Sequence, residues 1–239
     1  MSDAAHALPS PKIGGITPFS ATDYPGKLAA VVFMQGCPWR CGYCHNSHLQ
    51  KRTEKSVLPW PQVMALLGRR VGLIDAVVFS GGEPTLDPAL KHAILDVRAL
   101  GFGIGLHTSG SYPDRLAEVL PLIDWVGMDV KAPFDRYERI TGLARSGVQA
   151  QSCVEAILSS GVAHEFRTTV HPTLLSEHEI AELAGTLANM GVRNYALQKF
   201  RATGCENELL AAASMNGYPD SAVIERVAAL FPQFTFRHT

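Results

Sequence analysis

From residue 28 onward, short β-branched runs alternate with longer stretches whose apolar residues recur at helical spacing. That is the pattern of repeated βα units around a mostly parallel sheet. It predicts strands over 29–35 (AAVVFMQ), 75–80 (DAVVFS), 102–107 (FGIGLH), 125–130 (WVGMDV), 163–170 (AHEFRTTV) and 194–199 (NYALQK). Helices are predicted over 61–70, 88–100, 113–120, 147–160, 177–190 and 221–230. Pro61, Pro88 and Pro113 stand at helix starts, where the missing N–H costs nothing. Ser176 and Glu179 have the spacing of a capping box, and Gly101, Gly161 and Gly191 follow helical runs at positions suited to a left-handed cap. The run 233–236 suits an added edge strand, and 205–214 a short extra helix. Six units are fewer than the eight of a closed barrel, so the expected fold is α/β, a partial (β/α)6 TIM-like barrel with its site at the carboxyl ends of the strands. The expected division is an N-terminal tail and lead-in segment over 1–27, with a ragged tail over 1–11, followed by a single domain over 28–239.

The polar clusters agree with that geometry. Residues 37–46 follow the first predicted strand, 81–84 the second, 108–110 the third and 131–133 the fourth, while His171 and Arg201 follow the fifth and sixth. Unrelated clusters would not gather at one end of a sheet.

A chain of 239 residues with 46% hydrophobic residues can build one substantial core. Its 21 Lys and Arg against 22 Asp and Glu provide no global field to draw in nucleic acid or an anionic membrane. The longest apolar run, 28–34, is far short of the roughly 18 residues of a membrane helix. The residues before Pro11 lack the basic start and apolar core of a signal peptide. A soluble, cytoplasmic protein is expected.

Five cysteines are too few and too unevenly placed for a disulfide framework, because three fall within eight residues while Cys153 and Cys205 stand alone. Cys37, Cys41 and Cys44 lie in a loop rich in turn formers, and thiolates so spaced can wrap an iron–sulfur cluster or zinc. For zinc, His45 or His48 is the candidate fourth ligand, giving a non-enzymatic interaction module. For a cube, three cysteines leave one iron open to an exchangeable ligand, as in a catalytic centre. Cys153, among Val154, Ala156 and Ile157, reads as a small buried hydrophobe, whereas Cys205 follows the sixth strand on the side of the site. His92, His164, His178 and His238 carry no motif.

The cysteine spacing, with Tyr43 just before the last cysteine, resembles the defining loop of the radical S-adenosylmethionine superfamily, and Gly81-Gly82-Glu83-Pro84 resembles its second motif. The resemblance implies a [4Fe–4S] cluster on Cys37, Cys41 and Cys44, with S-adenosylmethionine chelating the fourth iron. It places Tyr43 near the adenine, and Gly81, Gly82 and Glu83 around the methionine amino group. Segments 16–23 (ITPFSATD), 24–27 (YPGK), 33–36 (FMQG), 41–46 (CGYCHN), 129–131 (DVK) and 140–142 (ITG) resemble the subset that activates glycyl-radical enzymes, in particular anaerobic ribonucleoside-triphosphate reductase activating proteins.

That closer resemblance implies reductive cleavage of S-adenosylmethionine to a 5′-deoxyadenosyl radical, which takes hydrogen from a glycine of the reductase large subunit. The electron comes from a low-potential donor such as flavodoxin or ferredoxin. Lys131 is expected to join the three cysteines in catalysis by pairing with the cofactor carboxylate, while Asp129 holds a cation or orients a neighbour. A buried core pair is the ordinary alternative for Asp129 and Lys131. Thr108 belongs to the expected cofactor contacts, with Arg167 near the ribose and Gln198 and Arg201 around the remaining polar groups. Where relatives often have Asp-Thr-Asn-Gly, this chain has His107-Thr108-Ser109-Gly110, which replaces a possible cation-binding carboxylate with imidazole. The competing enzymatic expectation is a radical enzyme acting on a small molecule such as a pterin.

Overall fold

The computed structural model describes residues 10–238, so the expected tail lies, as far as residue 9, outside the described residues. Eight strands form one sheet: β1 (Ile13–Ser20), β2 (Ala29–Met34), β3 (Ala76–Gly81), β4 (Gly103–Thr108), β5 (Trp125–Asp129), β6 (Ala163–Val170), β7 (Asn194–Lys199) and β8 (Gln233–Arg237). They lie side by side in chain order, with β1 antiparallel to β2 and every later pair parallel. The helices are α1 (Trp60–Gly68), α2 (Leu90–Ala99), α3 (Pro113–Val119), α4 (Glu138–Thr141), α5 (Ser146–Ser160), α6 (Glu177–Asn189), α7 (Glu208–Ala212) and α8 (Ser221–Ala228). This is the expected partial barrel, a mostly parallel sheet flanked by helices.

The six expected strands are β2 to β7, and the added edge strand is β8. β1 was not expected, because Gly14, Gly15 and Pro18 mask its periodicity. An edge strand tolerates proline, and Gly14 is needed where Leu49 packs against the backbone. α4 was missed for its brevity; Gly142 caps it at φ 69°. The expected capping box opens α6, where Ser176 Oγ accepts from Glu179 N at 3.3 Å and Glu179 Oε2 accepts from Ser176 N at 2.8 Å. Such a cap stabilises by about 1 kcal/mol.

The period of two assigns each strand's faces. Val32, Met34, Val77, Phe79, Ile104, Leu106, Val126, Met128, Phe166 and Leu197 join the helices in the main core. A fully buried side chain of this kind contributes about 1.5–3 kcal/mol. The alternate residues form the concave face. At its base Ala29, Val31, Ala76 and Val78 make a second apolar cluster with Tyr24 and Phe33. Tyr24 reaches in from the β1–β2 connection, passes over Gly105 and stacks on Trp125 with ring centroids 5.3 Å apart. From β4 to β8 the concave face turns polar, with His107, Asp129, Glu165, Arg167, Gln198 and Arg237. Among the described residues, no helix is long and apolar enough to cross a membrane.

Candidate active site

The site is built where β2 and β3 end. Gly36, at φ 96°, turns the chain out of β2, and its N–H donates to Leu49 O at 2.7 Å while Cys37 N donates to Gln50 O at 3.0 Å. The cysteine loop is thus clamped by the turn that follows it. It closes on itself through Cys44 N to Cys41 O at 3.1 Å and is tied to α4 through Arg40 N to Thr141 O at 2.8 Å.

The second motif is stitched to the first. Gly82 N donates to Met34 O at 2.9 Å, Glu83 N to Gly36 O at 2.7 Å, and Asn46 Nδ2 to Gly81 O at 3.2 Å. A side chain on Gly81 or Gly82 would collide with the backbone of residues 33–36, so glycine is required for this approach.

Glu83 is fully buried. Its Oε1 accepts from Thr85 N (3.1 Å), Thr85 Oγ1 (2.5 Å) and Thr108 Oγ1 (2.8 Å), and its Oε2 from Ser109 N (2.7 Å) and Ser109 Oγ (2.5 Å). The carboxylate therefore ties the end of β3 to the end of β4. Thr108 contributes through this bond, and Ser109, which the sequence did not single out, supplies two of the five donors.

The charged residues meet behind Tyr43. Lys131 Nζ stands 5.5 Å from the centroid of the Tyr43 ring and 3.6 Å from Asp129 Oδ2. Burial works against the lysine charge, but the facing Tyr43 and Asp129 outweigh it and keep its pKa well above the ordinary value. Tyr137, also missed from sequence, accepts from Lys131 N at 2.9 Å and packs edge-on to Trp39 at 5.5 Å. Arg167 lies on an interior strand and donates through Nε to Asp129 Oδ1 at 3.1 Å.

His107 donates through Nε2 to Asp23 O at 2.9 Å, stands edge-on to Trp125 at 5.6 Å, and has Ser80 Oγ 3.4 Å from its Nδ1. Burial, followed by the Arg167 charge, pushes its pKa down to about 4, so the imidazole is neutral at pH 7.

Gln198 is on the concave face but its Oε1 accepts from Arg237 Nη1 at 3.2 Å, and Arg237 also makes a two-pronged pair with Glu165 at 2.9 and 2.8 Å. Arg201 is exposed, with its carbonyl bonded to His45 Nε2 at 2.8 Å. The structure thus brings together residues 36–44, Gly81, Gly82, Glu83, Thr108, Asp129, Lys131 and Arg167, and leaves Gln198 and Arg201 to the outer strands. The inward alternation of β6 to β8 is the signal from which Glu165 and Arg237 were legible.

Cys153 is fully buried in α5, as expected. Cys205 lies against the cysteine loop, with Sγ 3.6 Å from Gly42 O. An open depression of about 330 Å³ beside that loop is lined by Arg40, Cys41, Gly42, Cys44, Gln50 and Asn207, among others. A second, of about 290 Å³, lies on the helical layer between Glu155, Leu158, Ser159 and Met190, away from this chemistry.

Among the described residues, no three His, Cys, Asp or Glu side chains converge on one metal-ion position. His45 is occupied by Arg201 O and stacks on Phe200 at 5.8 Å. Three cysteines on one clamped loop fit a group that takes several thiolates, and in the same loop the buried Trp39 Nε1 lacks any partner. Burial, then the Glu83 charge, pushes the free Cys37 thiol up to about 12, so loading a metal must displace protons.

Comparison with known proteins agrees with this geometry. Residues 31–187 match the model of the Radical SAM superfamily. The chain is 30% identical over 211 residues to the protein named "Putative glycyl-radical enzyme activating enzyme" of Methanocaldococcus jannaschii, covering 82% of each chain. It is 31% identical over 186 residues to a pyruvate formate-lyase-activating enzyme of Clostridium pasteurianum (75% of this chain, 77% of the relative). It is also 29% identical over 157 residues to a 7-carboxy-7-deazaguanine synthase of Methanopyrus kandleri (56% and 62%). With the cysteine loop, the glycine-rich second motif and the partial barrel all in place, the chain belongs to the radical S-adenosylmethionine superfamily.

Proposed function

We propose that the chain is a glycyl-radical enzyme activase whose substrate is the large subunit of an anaerobic ribonucleoside-triphosphate reductase, with flavodoxin or ferredoxin as electron donor. The observation that carries this reading is the charge pairing of the concave face. Arg167 and Lys131 face Asp129, and Arg237 is held by Glu165. A carboxylated small molecule, such as the product for which the deazaguanine synthase is named, calls for a free cation to meet its charge. Here Arg167 and Arg237 are held by Asp129 and Glu165, and Lys131, which shares Asp129, is taken by the cofactor's own carboxylate, so none of the three is left over for a carboxylated substrate. An uncharged glycine-bearing main chain needs only hydrogen bonds. The exposed Arg40, Arg115 and Arg201, on connections that follow β2, β4 and β7, suit the rim of a surface that receives a protein.

When bound, the cluster supplies the electron that breaks a carbon–sulfur bond of the S-adenosylmethionine sulfonium. The chain's own residues provide the setting. Cys37, Cys41 and Cys44 hold the cluster, and Lys131 offers its ammonium to the cofactor carboxylate. Gly81, Gly82 and Glu83 border the place of the methionine amino group, with Tyr43 beside the adenine. Asp129 fixes Lys131 and Arg167, and the apolar base of Tyr24, Trp125 and Val78 keeps water and stray hydrogen donors from below.

The test is electron paramagnetic resonance of the reduced, reconstituted protein with S-adenosylmethionine and the cognate reductase, its glycines deuterated at the α-carbon. A glycyl doublet that changes on labelling, with deuterium recovered in 5′-deoxyadenosine, is the expected result. A reductase that stays radical-free while S-adenosylmethionine is cleaved would sink the reading in favour of a small-molecule substrate.

A further inference from the structure

Trp39 is fully buried, yet its indole Nε1 has no hydrogen-bond partner. Among the described residues only Gln149 Oε1 shares that condition. A buried donor left unpaired costs about 1–3 kcal/mol, and native chains seldom accept it without a use for the group. This chain pairs a buried indole elsewhere: Trp60 Nε1 donates to Asp96 Oδ2 at 2.8 Å.

The position of Trp39 says what acceptor is missing. It stands two residues after Cys37 and two before Cys41, so its Cα is within about 7 Å of each cysteine Cα whatever the loop conformation. Its ring packs edge-on to Tyr137, whose hydroxyl meets the backbone of Lys131, and Lys131 in turn faces Tyr43 in the same loop. The side chain thus belongs to the core against which Cys37 and Cys41 also pack.

We propose that the Trp39 indole N–H is reserved for the iron–sulfur cluster, donating to one of its sulfurs and stabilising the reduced form. Reduction adds one negative charge to the cluster, so an N–H dipole aimed at sulfur strengthens on reduction and raises the potential. The bond also satisfies the orphaned donor, which couples cluster loading to the packing of Trp39 against Tyr137. The inference rests on membership of the superfamily and on the cysteine loop. It is independent of which substrate receives the radical, so a failed activase assay leaves it standing.

The experiment uses the full chain, reconstituted anaerobically with tryptophan labelled with nitrogen-15, and pulsed electron paramagnetic resonance of the reduced cluster. A hyperfine coupling to indole nitrogen-15 is expected, and its loss in Trp39→Phe assigns it to this residue rather than to Trp60 or Trp125. Redox titration of Trp39→Phe should show a more negative midpoint. A roughly tenfold change in the reduced-to-oxidised ratio at fixed potential corresponds to about 59 mV for one electron. If Trp39→Phe does not assemble a cluster, retention of the coupling in both Trp60→Phe and Trp125→Phe assigns it to Trp39, and its loss in either one overturns the proposal. Absence of indole coupling in the wild type overturns the proposal, and so does an unchanged midpoint in Trp39→Phe.

Discussion

Asp129 and Arg167 occupy paired register positions on β5 and β6, and the Arg167 Nε donates to Asp129 Oδ1 at 3.1 Å. With Lys131 also 3.6 Å from this carboxylate, Asp129 is the one carboxylate that both cations share, and it orients the two groups that the proposed function gives to the cofactor.

The pair has a pH signature. Burial acts to raise the Asp129 pKa, but Arg167, Lys131 and His107 together outweigh it and leave the group below its ordinary value. A depressed carboxylate stabilises the fold above its unfolded pKa, and that stability is lost as pH falls through the folded value. The Asp129 side chain is 37% exposed, so solvent screening limits the pair with Arg167 to about 1 kcal/mol. Urea unfolding of Arg167→Gln is expected to show a loss of that size at pH 7, narrowing towards pH 3. A difference that is the same at both pH values would mean that packing, not charge, is what Arg167 contributes.

His107 predicts a slope on a different part of the pH axis. Its folded pKa of about 4 lies below the ordinary histidine value, so the unfolded chain takes up a proton first as the solution is acidified. Stability is full above about pH 6.5 and declines as the pH falls below it. His107→Gln should flatten that part of the stability profile. An imidazole titration near pH 6.5 by nuclear magnetic resonance would contradict the neutral, buried state.

Glu83 joins the ends of β3 and β4, and the proposed function gives it a second duty at the cofactor. Because its carboxylate gathers five donors, Glu83→Gln removes one of the two acceptor oxygens and sets an amide NH2 against the backbone N–H of Thr85 or of Ser109. The expected loss of stability is about 2 kcal/mol. Glu83→Ala should also weaken S-adenosylmethionine binding roughly ten- to a hundredfold, measured by anaerobic titration. Unchanged affinity in a folded Glu83→Ala protein would confine the residue to joining β3 and β4.

The cluster ligands are tested by iron and sulfide content. Cys37→Ser, Cys41→Ser and Cys44→Ser should each lose most of the about four irons of a cube, while Cys153→Ala and Cys205→Ala retain them. A full complement in any of the three loop variants would remove that cysteine from the ligand set.

What the sequence determined by itself is local. Apolar spacing set out β2 to β7 and the main helices, because the two-residue and 3.6-residue periods are properties of the backbone. The spacing of Cys37, Cys41 and Cys44 bounds how far apart they can lie, and Gly142 and Gly161 take left-handed caps for reasons contained in one residue. β1 was hidden because its pairing with β2, and not its own composition, makes it a strand.

Tertiary structure decided which distant side chains meet. Nothing local joins Glu165 to Arg237 across 72 residues, or Glu83 to Ser109 across 26; strand order and register place each pair within hydrogen-bond distance. The same register turns Tyr24 onto Trp125 and pairs the inward cations that shape the reading of the substrate. The physical reason is that a period of two tells which face a residue takes but not its neighbour on the next strand, and a one-residue slip would send every inward group to the helices.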